Sequence, residues 1–414
     1  MMFTLPSTWF AFFLVVQILH NVSSDVNIKN DIKILMGYPP DSLSNFTELA
    51  TKYGYVSEEH IVTTDDGYIL TMFRITKGRN CNGPIRKPPV VLMHGLLMSS
   101  DCYLDAGLDA GLAYLISDLC YDLWVPNMRG NYYSKRHIQL DPATDREFWD
   151  FSNLELGYYD IPAFIDYILS KTKSRKLNYI GFSQGCSTFF IMNAERPEYN
   201  DKIGVAILLE PSSRQTNMRA QFSRLVFTAY AAALPALYRA GQCEALPQGG
   251  IVQQVAAFIC KDYIAANTLC RVATSLIDSS HPGSVETQTM RVLFGHFPAG
   301  TSTKNLAWYG QGLKTDTFQN FDYGVDENLQ FYGSVKPPPY NLSQVTAPVV
   351  IINGNNDGLV TPDDVDWLTS KLPNVLEHFV VQDQLWNHLD VAYSQYTSKS
   401  ILPKISQYLR SYST

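Results

Sequence analysis

Short, mostly apolar runs recur along the chain and alternate with longer stretches of helical character. The clearest runs are residues 89–93, 121–125, 177–180, 205–209, 348–352 and 377–381. Runs that are apolar on both faces are typical of parallel strands covered by helices on either side. The pattern therefore predicts an α/β fold with a mostly parallel central sheet flanked by helices.

Two stretches before these runs have the spacing of a hairpin. Residues 60–63 and 68–74 read as strands, and the turn sequence Thr64–Gly67 joins them. Strand-like stretches bounded by a short Asp/Gly turn are typical of an antiparallel hairpin.

Strand signals disappear between Leu209 and Pro348, which predicts a largely helical insertion over the core. Its stretches 225–234 and 251–259 are predicted apolar helices. They are interpreted either as the interior of a cap or as a surface that meets lipid, with Leu225 and Phe227 as the residues facing the lipid.

The resulting organisation has four parts. A signal peptide at residues 1–24 precedes the first part of the core at 25–210, the cap or lid insertion at 211–345 and the second part of the core at 346–414.

Composition and charge limit the kinds of molecule that this protein is expected to bind. The chain has 414 residues, of which 46% are hydrophobic and 17% charged, enough for a large globular core. The net charge is −7 and no run of Lys or Arg occurs, so we expect no nucleic-acid partner. The seven cysteines are too scattered for a zinc site, and we expect no metal and no cofactor.

The N-terminus predicts export. An apolar run at residues 9–16 followed by Val22–Ser24 resembles a signal peptide and its cleavage site, with a frayed apolar terminus as the alternative. Asn45 and Asn341 begin glycosylation sequons, which are consistent with a secreted or lysosomal protein. No later run predicts a transmembrane span.

Gly181–Gly185 places a serine at the apex of a predicted strand, turn and helix. This is a G-x-S-x-G motif, in which a strained backbone exposes the serine Oγ. The flanking glycines are needed because side chains there would collide where strand and helix cross. The motif predicts Ser183 as a nucleophile, with an ordinary strand–helix turn as the alternative.

A serine nucleophile needs a base and an acid that orients the base, and in this architecture both follow the serine in the chain. Of eight histidines, His388 is the one that follows the last predicted strand, so it is the predicted base. Asp357, in a Gly- and Asn-rich loop after the run 348–352, is the predicted acid. Glu210, which ends an earlier run, remains the alternative acid.

The oxyanion also needs donors. His94–Leu97 ends the run 89–93. We expect the backbone N–H of Leu96, together with that of Gln184 directly after the nucleophile, to bind the developing negative charge.

With these residues identified, the chain resembles the acid lipase family of α/β-hydrolases from about Lys52 onward. The stretches that carry the resemblance are residues 63–70, 94–97, 127–131, 147–149, 181–185, 298–302 and 387–390. The family pattern implies the same nucleophile, acid, base and oxyanion pair. It also implies a mobile lid in the insertion, and triacylglycerols or sterol esters as substrates.

The resemblance further implies a disulfide between Cys260 and Cys270, because the family has a similarly spaced pair. Two positions depart from the pattern. Phe182 stands where members usually have histidine, and Gly358 stands where tryptophan is common. We expect the change at Phe182 to leave the chemistry intact and to alter packing and acyl preference.

Together these features predict a secreted or lysosomal serine lipase that acts on neutral lipid esters at a lipid–water interface. One alternative is a lipid-binding or storage protein on the same scaffold. The other is a carboxylesterase for soluble esters.

Overall fold

The structure, a computed structural model, describes residues 30–413, so the predicted signal peptide at 1–24 lies outside the described residues. The strands are β1 Val56–Thr63, β2 Tyr68–Lys77, β3 Arg86–Met93, β4 Tyr121–Pro126, β5 Arg136–His137, β6 Leu177–Phe182, β7 Ile203–Leu209, β8 Glu244–Ala245, β9 Thr301–Ser302, β10 Val349–Asn353 and β11 Val375–Val380.

The α-helices are α1 Asn30–Leu35, α2 Phe46–Lys52, α3 Leu112–Asp118, α4 Asn153–Glu155, α5 Ile161–Thr172, α6 Gln184–Glu195, α7 Gln221–Arg239, α8 Ile251–Cys260, α9 Tyr263–Ala265, α10 Arg271–Ile277, α11 Thr287–His296, α12 Thr303–Gly312, α13 Val325–Tyr332, α14 Pro362–Thr369, α15 Asp390–Tyr393, α16 Thr397–Ser400 and α17 Leu402–Ser411. Short π-helical turns at Leu156–Asp160 and Ala266–Cys270 connect some of them.

One large sheet organises the fold. Its order is β1-β2-β4-β3-β6-β7-β10-β11, with β5 paired to β2. β1 and β2 form an antiparallel hairpin, and β2 is antiparallel to β4. Every later pair along this path is parallel. The predicted hairpin and the predicted mostly parallel sheet are confirmed.

The apolar runs are strands that are buried on both faces. In β3, Val91 and Met93 pack into the core on one face of the sheet, whereas Val90 and Leu92 pack into the core on the other. Strands β4, β6 and β10 are buried along their whole length. Because both faces are covered by helices, these strands lack the polar alternation of a half-exposed sheet.

Parallel pairing also decides where the functional loops meet. Strands β6, β7, β10 and β11 are consecutive neighbours that run in the same direction. The loops after these strands therefore leave the sheet at one edge, which is where open α/β sheets hold their ligands.

The chain between β7 and β10 is mainly helical, with α7–α13 and the two-stranded ribbon β8–β9. These helices fall inside the range 211–345 predicted for the insertion. α7 and α12 approach closely at Gly310, where an added Cβ would lie 2.1 Å from the carbonyl oxygen of Phe227. A residue with a side chain at this position would separate the two helices.

The two residues expected to face lipid have different environments. Leu225 in α7 is 45% exposed. Phe227 is only 9% exposed and its ring stacks on Tyr309 of α12, with 5.4 Å between ring centroids. Phe227 therefore fits the interpretation of this helix as the interior of a cap, and Leu225 fits a surface that meets lipid, because residues two positions apart lie on different faces of a helix. Phe222, one turn before Leu225, is 49% exposed and shares its face.

Two disulfides staple the described chain. Cys260–Cys270 joins the end of α8 to the turn before α10, within the insertion, as the family resemblance implied. Cys81–Cys120 joins the loop after β2 to the residue before β4, and the sequence analysis did not anticipate it. Cys102, Cys186 and Cys243 are buried free thiols.

Candidate active site

The predicted nucleophile lies on a strained turn between β6 and α6. Ser183 has φ 53° and ψ −113°, and its N–H donates to the carbonyl oxygen of Leu209 at 3.0 Å. An added Cβ at Gly185 would lie 2.6 Å from the carbonyl oxygen of Met93, and one at Gly181 would lie 2.9 Å from that of Gly185. Both glycines are therefore needed for the turn to form against β3.

The predicted base and acid are hydrogen-bonded to each other. Nδ1 of His388 lies 2.6 Å from Oδ2 of Asp357. Oδ1 of Asp357 accepts the N–H groups of Leu359 and Val360, each at 2.7 Å. Asp357 therefore acts as an acceptor toward the histidine, so Nδ1 of His388 donates and Nε2 is left without the proton.

Burial and charge act in opposite directions on the base. His388 is buried, which lowers its pKa, whereas the Asp357 carboxylate beside it raises the pKa. The net effect raises the pKa of His388 above its usual value. This favours the imidazolium form that a base must adopt after it takes a proton from a serine.

The alternative acid, Glu210, has a different role in this geometry. Its Oε1 accepts the N–H of Gly354 at 2.7 Å, while Oε2 is buried without a donor among the described residues. Burial, followed by the charge of the adjacent Asp357, raises the pKa of Glu210 well above its usual value. Asp357, and not Glu210, is therefore the carboxyl bonded to the histidine.

The two predicted oxyanion donors lie on neighbouring segments. Gln184 is the first residue of α6, so its N–H belongs to the group that an α-helix leaves without an intrahelical acceptor. Leu96 follows β3, and β3 is paired with β6 in register up to Met93 and Gly181. The carboxyl ends of these paired strands bring the loop of Leu96 beside the turn that carries Gln184.

His94 holds the loop that carries Leu96, and the sequence analysis assigned it no role. Its Nε2 accepts the N–H of Met128 at 3.2 Å, and its Nδ1 contacts the carbonyl oxygen of Gly95 at 2.8 Å. Burial lowers the pKa of His94 to about 4, so it is neutral and Nδ1 carries the proton. The histidine of the His-Gly sequence is thus a structural crosslink, since both of its nitrogens are occupied.

Comparison with known proteins identifies the family. Residues 46–107 match a model described as a partial alpha/beta-hydrolase lipase region, and residues 88–393 match the alpha/beta hydrolase fold. Lipase 1 of Drosophila melanogaster is 36% identical over 89% of this chain and 80% of its own length. The chain belongs to the acid lipase family of α/β-hydrolases.

Human relatives in the acid lipase family match over similar lengths. Gastric triacylglycerol lipase is 33% identical over 85% of this chain and 87% of its own length. Lysosomal acid lipase/cholesteryl ester hydrolase is 31% identical over 91% of this chain and 94% of its own length.

A solved structure shares the α/β-hydrolase fold at low identity. A soluble variant of monoglyceride lipase from Saccharomyces cerevisiae superposes with a TM-score of 0.53 and 14% identity, over 87% of this chain and 96% of that one. This likeness concerns the fold alone. With the family match, it confirms the predicted α/β-hydrolase fold.

Phe182, which departs from the acid lipase pattern, contacts the predicted base His388 directly. The Phe182 ring is fully buried and lies 4.9 Å from the His388 ring, centroid to centroid. An added Cβ at Gly95 would come within 3.3 Å of the Phe182 ring. Phe182 therefore packs between the oxyanion loop and the histidine as an apolar, uncharged neighbour.

The second departure, Gly358, faces a carboxylate that the sequence analysis missed. The N–H of Gly358 donates to Oδ1 of Asp278 at 2.8 Å, and an added Cβ at Gly358 would lie 2.7 Å from the carbonyl oxygen of Asp278. Asp278 belongs to the insertion, far in sequence from the predicted acid. No sequence motif identifies Asp278, so its position beside Gly358 is seen only in the folded chain.

Proposed function

We propose that this acid lipase family member is a serine lipase that hydrolyses neutral lipid esters, triacylglycerols or sterol esters, through an acyl-enzyme on Ser183. The observation that carries the proposal is the 2.6 Å bond between His388 and Asp357 at the sheet edge where the strained Ser183 also lies. A nucleophile, an oriented base and a charged acceptor in this order are the parts that acyl transfer requires.

Each half-reaction uses the same groups. Nε2 of His388 takes the Ser183 proton as Oγ attacks the ester carbonyl, and the N–H groups of Leu96 and Gln184 bind the oxyanion. Asp357 stabilises the imidazolium, which then protonates the leaving alcohol. In the second half-reaction His388 activates water, and hydrolysis of the acyl-enzyme releases the fatty acid.

The insertion supports a lipid substrate. Its helices α7 to α10 expose many large apolar side chains, among them Phe222, Leu225, Val252, Val255, Phe258, Ile259, Tyr263, Ile264, Leu269, Val272 and Leu276. Exposed apolar groups in such number on one segment are typical of a surface that meets lipid or another protein. Ser183 is only 7% exposed, which is consistent with an insertion that covers the site in water.

The names of relatives and the described residues support neutral lipid esters as substrates and a secreted or lysosomal location. The names of the two human relatives include triacylglycerol lipase and cholesteryl ester hydrolase. The two disulfides favour an oxidising compartment, and the sequon residues Asn45 and Asn341 are both exposed. We propose a secreted or lysosomal, glycosylated protein. Among residues 30–413, no helix is both long and apolar enough to cross a membrane.

Labelling with a fluorophosphonate tests the proposal directly. The reagent reacts with a serine that has an oriented base, so we expect about one label per chain, on the peptide that contains Ser183. A lipid-binding or storage protein would bind an ester without reacting. Absence of label on folded, secreted protein would remove the enzyme assignment while leaving the fold untouched.

Removing the apolar face of α7 tests the role of the insertion. Replacing Phe222 and Leu225 together with serine is expected to lower hydrolysis of an emulsified long-chain ester about tenfold or more, because each side chain contributes about 1.5–3 kcal/mol when buried in lipid. Turnover of a dissolved short-chain ester should stay within about twofold of the wild type. The measurement is the initial rate across the solubility limit of each ester.

Leu376→Ser is the matched control. Leu376 is also exposed, but it lies near the amino end of β11, away from the edge that holds the candidate site. We expect it to leave both rates unchanged. No rise in rate at the solubility limit, together with no effect of the α7 double substitution, would favour a carboxylesterase for soluble esters.

A further inference from the structure

Asp278 connects the two loops that carry the predicted acid and base. It follows α10 in the insertion and is buried, with 5% of its surface exposed. Its Oδ1 accepts the N–H of Gly358, the residue after Asp357, at 2.8 Å. Its Oδ2 accepts the N–H of Leu389, the residue after His388, at 3.2 Å. One carboxyl group therefore holds the backbone beside both residues.

The residues after Asp278 bond to the same two loops. The carbonyl oxygen of Ser279 accepts Nδ2 of Asn387 at 2.9 Å, and that of Ser280 accepts Nδ2 of Asn356 at 3.0 Å. The Ser279 hydroxyl also donates to the carbonyl oxygen of Asn356. Each loop is thus held by bonds from both a side chain and the backbone of the insertion.

The segment continues along the histidine loop. Nδ1 of His281 lies 2.6 Å from Oδ2 of Asp390, and the same carboxylate oxygen accepts the N–H of Asn387 at 2.9 Å. Ser284 also donates to Asp390. The insertion therefore supplies a continuous set of partners to the loop on which His388 lies.

These contacts do not suit Asp278 to proton transfer. Both of its oxygens accept backbone N–H groups, and Nδ1 of His388 is already bonded to Asp357. Burial and the neighbouring Asp357 raise the pKa of Asp278 to about 8, whereas His388 lowers it. Asp357, and not Asp278, is the carboxyl bonded to the predicted base.

We propose that Asp278 is a positioning residue of the active site, which aligns Asp357 and His388 by bridging the backbone after each of them. Because Asp278 belongs to the insertion, correct docking of residues 278–281 is then a condition for an aligned triad. The inference rests on the proposed catalytic roles of Ser183, Asp357 and His388.

Two substitutions at Asp278 should give graded losses. Asp278→Asn keeps one oxygen acceptor but turns an NH₂ group toward one of the two N–H donors, whereas Asp278→Ala leaves both donors without a partner. On a dissolved short-chain ester we expect kcat to fall about tenfold for Asn and about 100-fold for Ala, because misalignment of about 1 Å has effects of this size. KM should stay within about twofold, since no substrate contact is removed.

The rate of fluorophosphonate labelling provides a second readout, because it reports the alignment of Ser183 and His388 without ester binding. It should fall in step with kcat. Asp363→Asn is the matched control: the Asp363 side chain pairs with the insertion residue Arg219 at 3.5 Å, and both side chains are exposed. Arg219 bonds to the Asp357 loop through its backbone N–H, which donates to the carbonyl oxygen of Gly358 and which the substitution leaves in place. We expect the control to retain wild-type kcat and labelling rate. Thermal melting of each variant shows that the assay temperature lies below its unfolding.

Gly358→Ala tests the Asp278 bridge by changing the residue whose N–H group Asp278 accepts. The added Cβ would lie 2.7 Å from the carbonyl oxygen of Asp278 and push the segment away, so kcat should fall here too. If Asp278→Ala does not fold, Asp278→Asn and Gly358→Ala decide the question.

Two results would overturn the inference: a kcat within about twofold of the wild type in the folded Asp278 and Gly358 variants, or a rise in KM with kcat unchanged. An inactive Ser183→Ala beside such variants would leave the proposed function standing. An active Ser183→Ala would instead overturn the function itself.

Discussion

Ser183→Ala is expected to lower kcat on any ester by about five to six orders of magnitude, the size of effect seen when a serine nucleophile is removed. The substitution deletes Oγ and keeps Cβ, so the strained turn with φ 53° carries a side chain of the same branching. The protein should therefore fold and be secreted normally. The measurement is kcat on a dissolved ester together with the loss of fluorophosphonate labelling.

Ser187→Ala is the matched control for this prediction. Ser187 is a buried serine one turn further along α6, and its hydroxyl donates to the carbonyl oxygen of Ser212 at 2.8 Å. Its removal should cost about 0.5–1.5 kcal/mol of stability and leave the chemistry intact. Activity near the wild-type level in Ser183→Ala would place the nucleophile elsewhere in the chain.

Asp357→Asn should lower kcat by about 10⁴-fold, because an amide in this place leaves His388 in the wrong tautomer. The asparagine can still accept the N–H groups of Leu359 and Val360 through its oxygen. Its NH₂ group would then face Nδ1 of His388, where a carboxylate oxygen now lies at 2.6 Å. Steady-state kinetics on the folded variant and the wild type give the ratio of their kcat values.

Glu210→Gln is the companion substitution, and we expect kcat to change by less than about tenfold. The glutamine oxygen can accept the N–H of Gly354, and its NH₂ group takes the place of the buried Oε2 with nearly the same shape. The pair of variants separates the two candidate acids. A severe loss in Glu210→Gln with a mild one in Asp357→Asn would transfer the role of acid to the earlier strand.

The central sheet and its order of functional groups were accessible from sequence because they depend on local patterns. Apolar runs such as 205–209 and 348–352 became β7 and β10, and the hairpin at 60–74 became β1 and β2. A strand buried on both faces is mostly apolar, so its signal is contained in a few adjacent residues.

The candidate site was predicted in the same way, from residues that follow strands. Ser183, Asp357 and His388 each come just after a strand, and parallel neighbours place such residues at one sheet edge. The bond between His388 and Asp357 is present in the structure, while the catalytic roles remain a prediction that the substitutions above test.

The sequence did not decide which face of α7 is buried. Residues 225–234 fitted either a cap interior or a surface that meets lipid, and the structure divides them: Phe227 packs on Tyr309 of α12, whereas Leu225 stays exposed. The amphipathic pattern shows that a helix buries something, but the partner helix comes from a distant part of the chain.

By itself, the sequence determined the parallel sheet and the serine turn between Gly181 and Gly185, and it predicted the chain order of nucleophile, acid and base. Only the tertiary structure decided that His388 bonds to Asp357 and not to Glu210, and that Asp278 reaches the loops of both His388 and Asp357. The physical reason is the range of the interactions. Strand periodicity and turn geometry depend on neighbouring residues. The hydrogen-bond partners and the pKa of a buried carboxyl depend on segments that only folding brings together.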